Sequence, residues 1–242
     1  MRAAGHVVAL VHVAVARAIA PGVTTQNLDD IARDVIDREG AISNFHGHHG
    51  FTGRICASVN DEIVHGIPGA RVLKEGDIIS VDVGAIIEGY HGDSAWTYPV
   101  GVISEEAVRL LRDTEASLYE GIAAARPNNR LNAIGHAVET YALERGYGLV
   151  REYGGHGIGR NMWEEPHVPN HGDPNHGVRM RPGMTFAIEP MLNVGNDETR
   201  QLEDGWTVVT ADGSLSAHFE HTVVITDGAA EILTPRLAGV VH

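Results

Sequence analysis

The sequence predicts an α/β (α+β) domain of two related halves, each an antiparallel sheet covered by a pair of helices. Three observations carry this expectation. The chain reads helix, helix, strands, and then helix, helix, strands again. Residues 78–87, a Glu88-Gly89 turn and residues 90–98 alternate as two strands of an antiparallel hairpin. Each half carries one histidine followed by two carboxylates in apolar strand contexts: His65, Asp82 and Asp93, then His156, Glu189 and Glu220. The expected organisation is a single domain over residues 1–242, with halves at about 1–103 and 104–242 and a site between them. Sequence identity between the halves is negligible, so the duplication rests on element order alone.

Residues 3–20 have helical character and stop at Pro21-Gly22. An early arginine, an apolar run and small residues make residues 1–21 mimic a secretory signal. His6, His12 and Arg17 interrupt the run, so a helix of the mature domain and a cleaved signal are both open on these residues. Thr24 or Thr25 caps a second helix to about residue 39, ended by Gly40. Residues 44–53 (NFHGHHGFTG) form a Gly/His loop, and residues 54–59 and 63–64 are strands around a turn at Asn60-Asp61. The hairpin follows. Helices are expected over 105–125 and 131–145, and strands over 149–153, 184–192, 206–210 and 218–226. There is no Pro/Ser-rich linker, no low-complexity tract and no further segment with the pattern of a membrane span.

The composition bounds the function. A chain of 242 residues with 43% hydrophobic and 21% charged residues is ordinary for a globular protein and long enough to bury a core. Its 18 basic and 32 acidic residues give a net charge of −14, a field that repels phosphates and disfavours a sequence-independent nucleic-acid binder. A single cysteine, Cys56, excludes an intramolecular disulfide and fits a reducing cytoplasm. The 15 histidines, interspersed with acids, direct attention to metal sites.

Asp82 lies in the middle of the apolar strand ISVDVG, where an acid is costly unless paired or bound to a cation. The hairpin brings Asp93 to within a residue or two of the position opposite, and two carboxylates that close repel or share a proton. A bound cation removes the conflict; the bland alternative is one turn cap and one water-facing acid. Glu189 in FAIEPM and Glu220 in AHFEHTVV repeat the problem, with a buried salt bridge as the bland alternative for each. Four such acids are hard to pair with only 18 basic residues. His156 sits in GGHGIG, whose glycines permit close approach of backbone to a ligand; the bland reading is a flexible loop with an incidental histidine. Four carboxylates and an imidazole form an oxygen-rich set suited to paired Mn²⁺, Fe²⁺, Co²⁺ or Zn²⁺ rather than a thiolate zinc centre. Two ions about 3.5–4 Å apart that share carboxylates hydrolyse amides or esters.

VHGIP (64–68), the Asp82 strand, HGDSAW (91–96), GHGIGR (155–160), GMTFAIEPM (183–191), DGWTV (204–208) and FEHT (219–222), in this order over nearly the whole chain, resemble bacterial type I methionine aminopeptidases. The resemblance implies the pita-bread fold of that family, whose first helix covers residues 3–20, and removal of initiator methionine when the second residue is small. It implies two divalent ions (Co, Mn, Fe or Zn) held by Asp82, by Asp93 and Glu220 as bridges, and by His156 and Glu189. It further implies that Glu189 shuttles a proton and that His65 contacts the substrate near the scissile amide. Phe51, Cys56, Met162 and Trp206, with Phe45 and His48 nearby, are implied to line the methionine pocket, as apolar or soft groups suited to a thioether. The implied partners are nascent polypeptide N-termini near the ribosome exit, with no direct nucleic-acid or membrane contact, for a monomer in the cytoplasm.

Four residues at three places depart from the family pattern. Trp163 stands where the family has a histidine that stabilises the substrate carbonyl, and His167, four residues later, is a candidate stand-in. Asn128-Asn129 replaces a proline-glycine turn, and His48 replaces an aromatic residue. Two other readings are compatible with these residues. One is an Xaa-Pro-type peptidase of the same fold; the other is a weakly active or inactive relative that acts as a binding protein, motivated by Trp163.

Overall fold

The computed structural model describes residues 1–237. The first half holds α1 (Arg2–Ala18), α2 (Thr25–Arg38), β1 (Ile42–Ser43), β2 (Ile55–Val59), β3 (Glu62–Val64), β4 (Ile78–Ile87) and β5 (Tyr90–Pro99). The second holds α3 (Glu105–Ala124), α4 (Asn132–Glu144), β6 (Gly148–Leu149), β7 (Gly155–Gly157), β8 (Glu164–Val168), β9 (Thr185–Ile188) and β10 (Met191–Asn193). It continues with β11 (Thr199–Gln201), β12 (Val208–Thr210), β13 (Ser216–His218), β14 (His221–Val224) and β15 (Glu231–Ile232).

Helix α1 buries Ala4, Val8, Val11 and Val15, which recur every three or four residues along one face. Helix α2 begins with a reciprocal cap: the Thr24 side chain accepts from the Asn27 backbone N–H, and the Asn27 side chain accepts from the Thr24 N–H. Both helices cover a sheet in which β1, β4 and β2 are ordered side by side and β5 also pairs with β4. Gly5 of α1 approaches β5 so closely that a Cβ on Gly92 would lie 2.8 Å from the Gly5 nitrogen. In the second half, β15, β14, β9, β7 and β8 form one antiparallel sheet, and β13, β10 and β6 another. One continuous core joins Val11, Leu28 and Val81 of the first half to Leu118, Ile134, Phe186 and Phe219 of the second. Antiparallel sheets covered by two pairs of helices are the pita-bread arrangement that the sequence led us to expect.

Several expected strands are corrected. The strand expected over 184–192 is broken at Glu189-Pro190 into β9 and β10, which belong to different sheets. Proline has no N–H for a ladder, so the chain leaves one sheet there and enters another. The strand expected over 218–226 is likewise divided at Phe219-Glu220 into β13 and β14. Of residues 149–153 only Leu149 is in a strand, the two-residue β6 (Gly148–Leu149), and the chain runs irregularly from there to Gly155. Strands β2 and β3 flank the Asn60-Asp61 turn but separate, β2 joining β4 and β3 joining β12. Strand β8 arises in a stretch rich in glutamate, proline and histidine, where no apolar alternation announces it.

Candidate metal centre

The β4–β5 hairpin sets the first two carboxylates. Its two-residue turn has both Glu88 (φ 52) and Gly89 (φ 75) in the left-handed region, the conformation that matches the twist of tight hairpins. The register pairs Asp82 with Ala95 and Gly84 with Asp93, so the two aspartates are diagonal neighbours on one face. Strand β5 then recruits the second half. The Glu220 N–H donates to the Ala95 carbonyl at 2.8 Å, and Ser94 Oγ donates to the Glu220 carbonyl at 2.6 Å. The Asp93 N–H donates to Thr222 Oγ1, which donates back to the Asp93 carbonyl. These bonds seat Glu220 beside Asp93.

His156 is presented by β7, packed against β9. A Cβ on Gly155 would lie 2.1 Å from the Ala187 carbonyl, so glycine is required for this approach. His156 Nδ1 is 2.9 Å from the Gly157 carbonyl. A carbonyl only accepts, so Nδ1 carries a hydrogen, and Nε2 is the ring nitrogen turned toward the acids. Nε2 lies 3.9 Å from Asp93 Oδ2 and 3.8 Å from Glu189 Oε1. Donor atoms of Asp93, His156 and Glu220, all buried, fall within 4.8 Å of one another, a grouping suited to a metal ion.

The electrostatics of the cluster are unbalanced. Burial, reinforced by the neighbouring acids, pushes Asp93 and Glu220 well above the usual carboxylate range. Burial also pushes Asp82 up, to about 7. Burial acts on Glu189 in the same direction, but the imidazoles of His218, His156 and His65 outweigh it and hold this carboxyl below its ordinary value. Asp82 Oδ1, Asp93 Oδ1 and Glu220 Oε1 are buried without any hydrogen-bond partner. Buried carboxylate oxygens are normally satisfied. Three orphaned carboxyl oxygens in and beside the Asp93, His156 and Glu220 grouping fit a divalent cation, whose charge would offset the cost of ionising them there.

A cavity of about 240 Å³ opens onto this cluster. Asp82, Asp93, His156, Glu189 and Glu220 all line it, as does His65. Phe45, Phe51, Cys56 and Met162 form a small buried apolar cluster at its side, with Ile67 and Trp206 packed against them. Burial raises the Cys56 thiol well above its ordinary range, with Asp82 the next cause, so it is a neutral soft wall. His65 has a left-handed backbone (φ 61) and meets Tyr153 and Trp206 edge-on.

Every residue expected at the site therefore lines one cavity. The sequence reading did not include His49 in the lining or His218, whose Nε2 faces Glu189 at 3.5 Å. The signal for His218 was its position two residues before Glu220. Trp163 lines the cavity, 48% exposed, with its ring 4.5 Å from that of His48 and 6.1 Å from that of His156. His167 does not replace the missing histidine. It pairs in register with His156 but is exposed and is not part of the cavity wall.

Fold, cluster and cavity together describe a metal-dependent hydrolase, and the sequence profile of metallopeptidase family M24 matches residues 1–227. The chain belongs to metallopeptidase family M24, and within it to the methionine aminopeptidases. It is 54% identical over 234 residues to methionine aminopeptidase 1 of Bacillus subtilis (strain 168), covering 97% of this chain and 94% of that one. The crystal structure of methionine aminopeptidase from Thermotoga maritima superposes with a TM-score of 0.95 at 43% identity, covering 97% and 94%. That from Rickettsia prowazekii gives a TM-score of 0.95 at 40% identity, covering 97% and 95%.

Proposed function

We propose that the chain removes methionine from the N-termini of polypeptides whose second residue is small, using two divalent ions held by Asp82, Asp93, His156, Glu189 and Glu220. The observation that carries this reading is the set of three orphaned buried carboxylate oxygens beside an apolar, sulfur-containing cavity. Bound there, the ions supply Lewis acidity and lower the pKa of water. The chain's own groups do the rest. Phe45, Phe51, Cys56, Met162 and Trp206 enclose an unbranched thioether and exclude water from it. His65 donates toward the scissile amide, and Glu189 holds the proton that the leaving nitrogen requires. Nascent chain termini near the ribosome exit are the partners, and Mn²⁺, Fe²⁺, Co²⁺ and Zn²⁺ are the candidate ions.

The test is release of methionine from Met-Ala-Ser by metal-free protein, with each of the four ions restored in turn. Ion-dependent release is expected. Stoichiometric ion binding with no release would sink the reading. One observation favours a second reading, a protein of weak activity: the Trp163 indole occupies the cavity rim near His156. An indole donates one hydrogen bond and does not titrate, and a missing positioned donor commonly costs about 10²-fold or more in rate. On that reading Trp163→His raises kcat by at least about 10-fold; an unchanged or lower kcat shows that the cavity has accommodated the indole.

A further inference from the structure

His218 ends β13 and is only 2% exposed. Its backbone is engaged by one hydroxyl. The His218 N–H donates to Thr97 Oγ1 at 2.9 Å, and Thr97 Oγ1 donates to the His218 carbonyl at 2.9 Å. Its side chain is not so engaged. Nε2 is buried and lacks a well-aligned hydrogen-bond partner, and a carboxylate oxygen that faces it, Glu189 Oε2, lies at 3.5 Å. A buried ring nitrogen left in this state is costly and calls for an explanation.

Glu189 supplies it. One carboxylate oxygen, Oε1, faces His156 Nε2 at 3.8 Å; the other, Oε2, faces His218 Nε2. The residue sits in the break between β9 and β10, outside any strand ladder, and its backbone carbonyl is held by Asn170 Nδ2 at 3.0 Å. Three side-chain torsions separate that fixed backbone from the carboxylate, so the side chain needs a second anchor to keep one orientation. Groups that hold ligating carboxylates in this way commonly decide metal affinity.

We propose that His218 is a positioning residue for Glu189: its Nε2–H donates to Oε2 and keeps Oε1 turned toward the space bounded by Asp93, His156 and Glu220. The arrangement fixes the tautomer, with the hydrogen on Nε2. It also assigns a donor to Glu189 Oε2, the oxygen turned away from His156. The inference rests on the reading of Glu189 as a metal ligand.

The test compares wild type, His218→Phe, which keeps a ring without the donor, and His218→Gln, whose amide donates again. Mn²⁺ binding to the metal-free proteins is measured by calorimetry, and kcat and KM with Met-Ala-Ser are measured separately. Thermal melting of the metal-free forms reports folding, and His218→Leu replaces the phenylalanine variant if that one does not fold. The expected result is Mn²⁺ affinity about 10–100-fold weaker in His218→Phe. Its kcat falls with little change in KM, and His218→Gln recovers most of both. A purely structural role would lower the melting temperature and leave Mn²⁺ affinity and kcat at wild-type values, and that result overturns the proposal. Equal defects in the phenylalanine and glutamine variants overturn it as well, since shape rather than donation would then matter. A Glu189→Gln variant separates the two levels. Unchanged Mn²⁺ affinity there removes the ligand reading itself; weakened affinity there with wild-type behaviour of His218→Phe removes only the role of His218.

Discussion

The two halves bring carboxylates to the same cavity by different means. In the first, Asp82 and Asp93 lie within the ten-residue strands β4 and β5, on one face of an unbroken hairpin. In the second, Glu189 and Glu220 lie at breaks, between β9 and β10 and between β13 and β14. The continuous strands place their carboxylates by backbone pairing alone, and a short side chain suffices. The broken strands hold the backbone farther from strict register, and a longer side chain with external anchors reaches the same space. Glu220 is anchored through the backbone by Ser94 and Ala95, and Glu189 faces two imidazoles. Stiffness in the first half is thus matched by stitching in the second.

The largest expected effect breaks the stiff side. Asp93→Ala removes an acid at the meeting of all the others, and loss of a supporting group alone costs 10–100-fold in metal sites. We expect kcat/KM for Met-Ala-Ser to fall by more than about 10³-fold; retained turnover would show that the carboxylates have another arrangement in the working enzyme.

Chain length sharpens the comparison on the other side. Glu189→Asp draws the carboxylate back by one methylene from a backbone that does not move with it. A displacement near 1 Å at a reacting centre costs about 10²-fold, and a loss of that size in kcat is expected. A variant as active as wild type would mean that the break is flexible enough to follow.

The stitching has its own measure. Thr97 Oγ1 accepts from the His218 N–H and donates to its carbonyl, and Ser80 Oγ lies 2.8 Å away, so one hydroxyl ties β4 and β5 to β13. Thr97→Val leaves buried backbone groups unpaired, and urea unfolding should show a loss of about 1–3 kcal/mol. No loss would mean that the halves cohere through apolar packing alone.

A further effect concerns acid stability in the shared core. His12 of α1 is fully buried between Tyr98, whose hydroxyl lies 2.9 Å from Nδ1, and the Ser94 carbonyl, 3.0 Å from Nε2. Burial lowers its pKa from 6.5 to about 3. The unfolded chain takes up a proton below pH 6.5 that the folded chain refuses until about pH 3. The contribution of His12 to stability is therefore complete above pH 6.5 and is lost progressively as pH falls toward 3. Stability measured by urea at pH 7.5, 5.5 and 4.5 should fall less steeply in His12→Gln. The difference in slope should approach one proton, about 1.4 kcal/mol per pH unit at most. Parallel profiles would place the acid sensitivity elsewhere.

Much of this was legible in the residues themselves. The helices α1 to α4 and the β4–β5 hairpin come from local spacing, caps and a two-residue turn, all carried by neighbours along the chain. The four acids at the centre stood out because ionised groups in apolar runs need a partner, and the basic residues were too few to supply one. The breaks at Glu189 and Glu220 were not legible. Pro190 hinted at the first, but only the competition between two sheets for β9 and β10, and for β13 and β14, decides where each strand ends. His218 and the exclusion of His167 from the cavity belong to the same class. A histidine two residues from an acid and another eleven residues beyond His156 look alike in a sequence. Which one turns toward Glu189 is decided by the path of the backbone across sheets, a long-range property that no local pattern encodes.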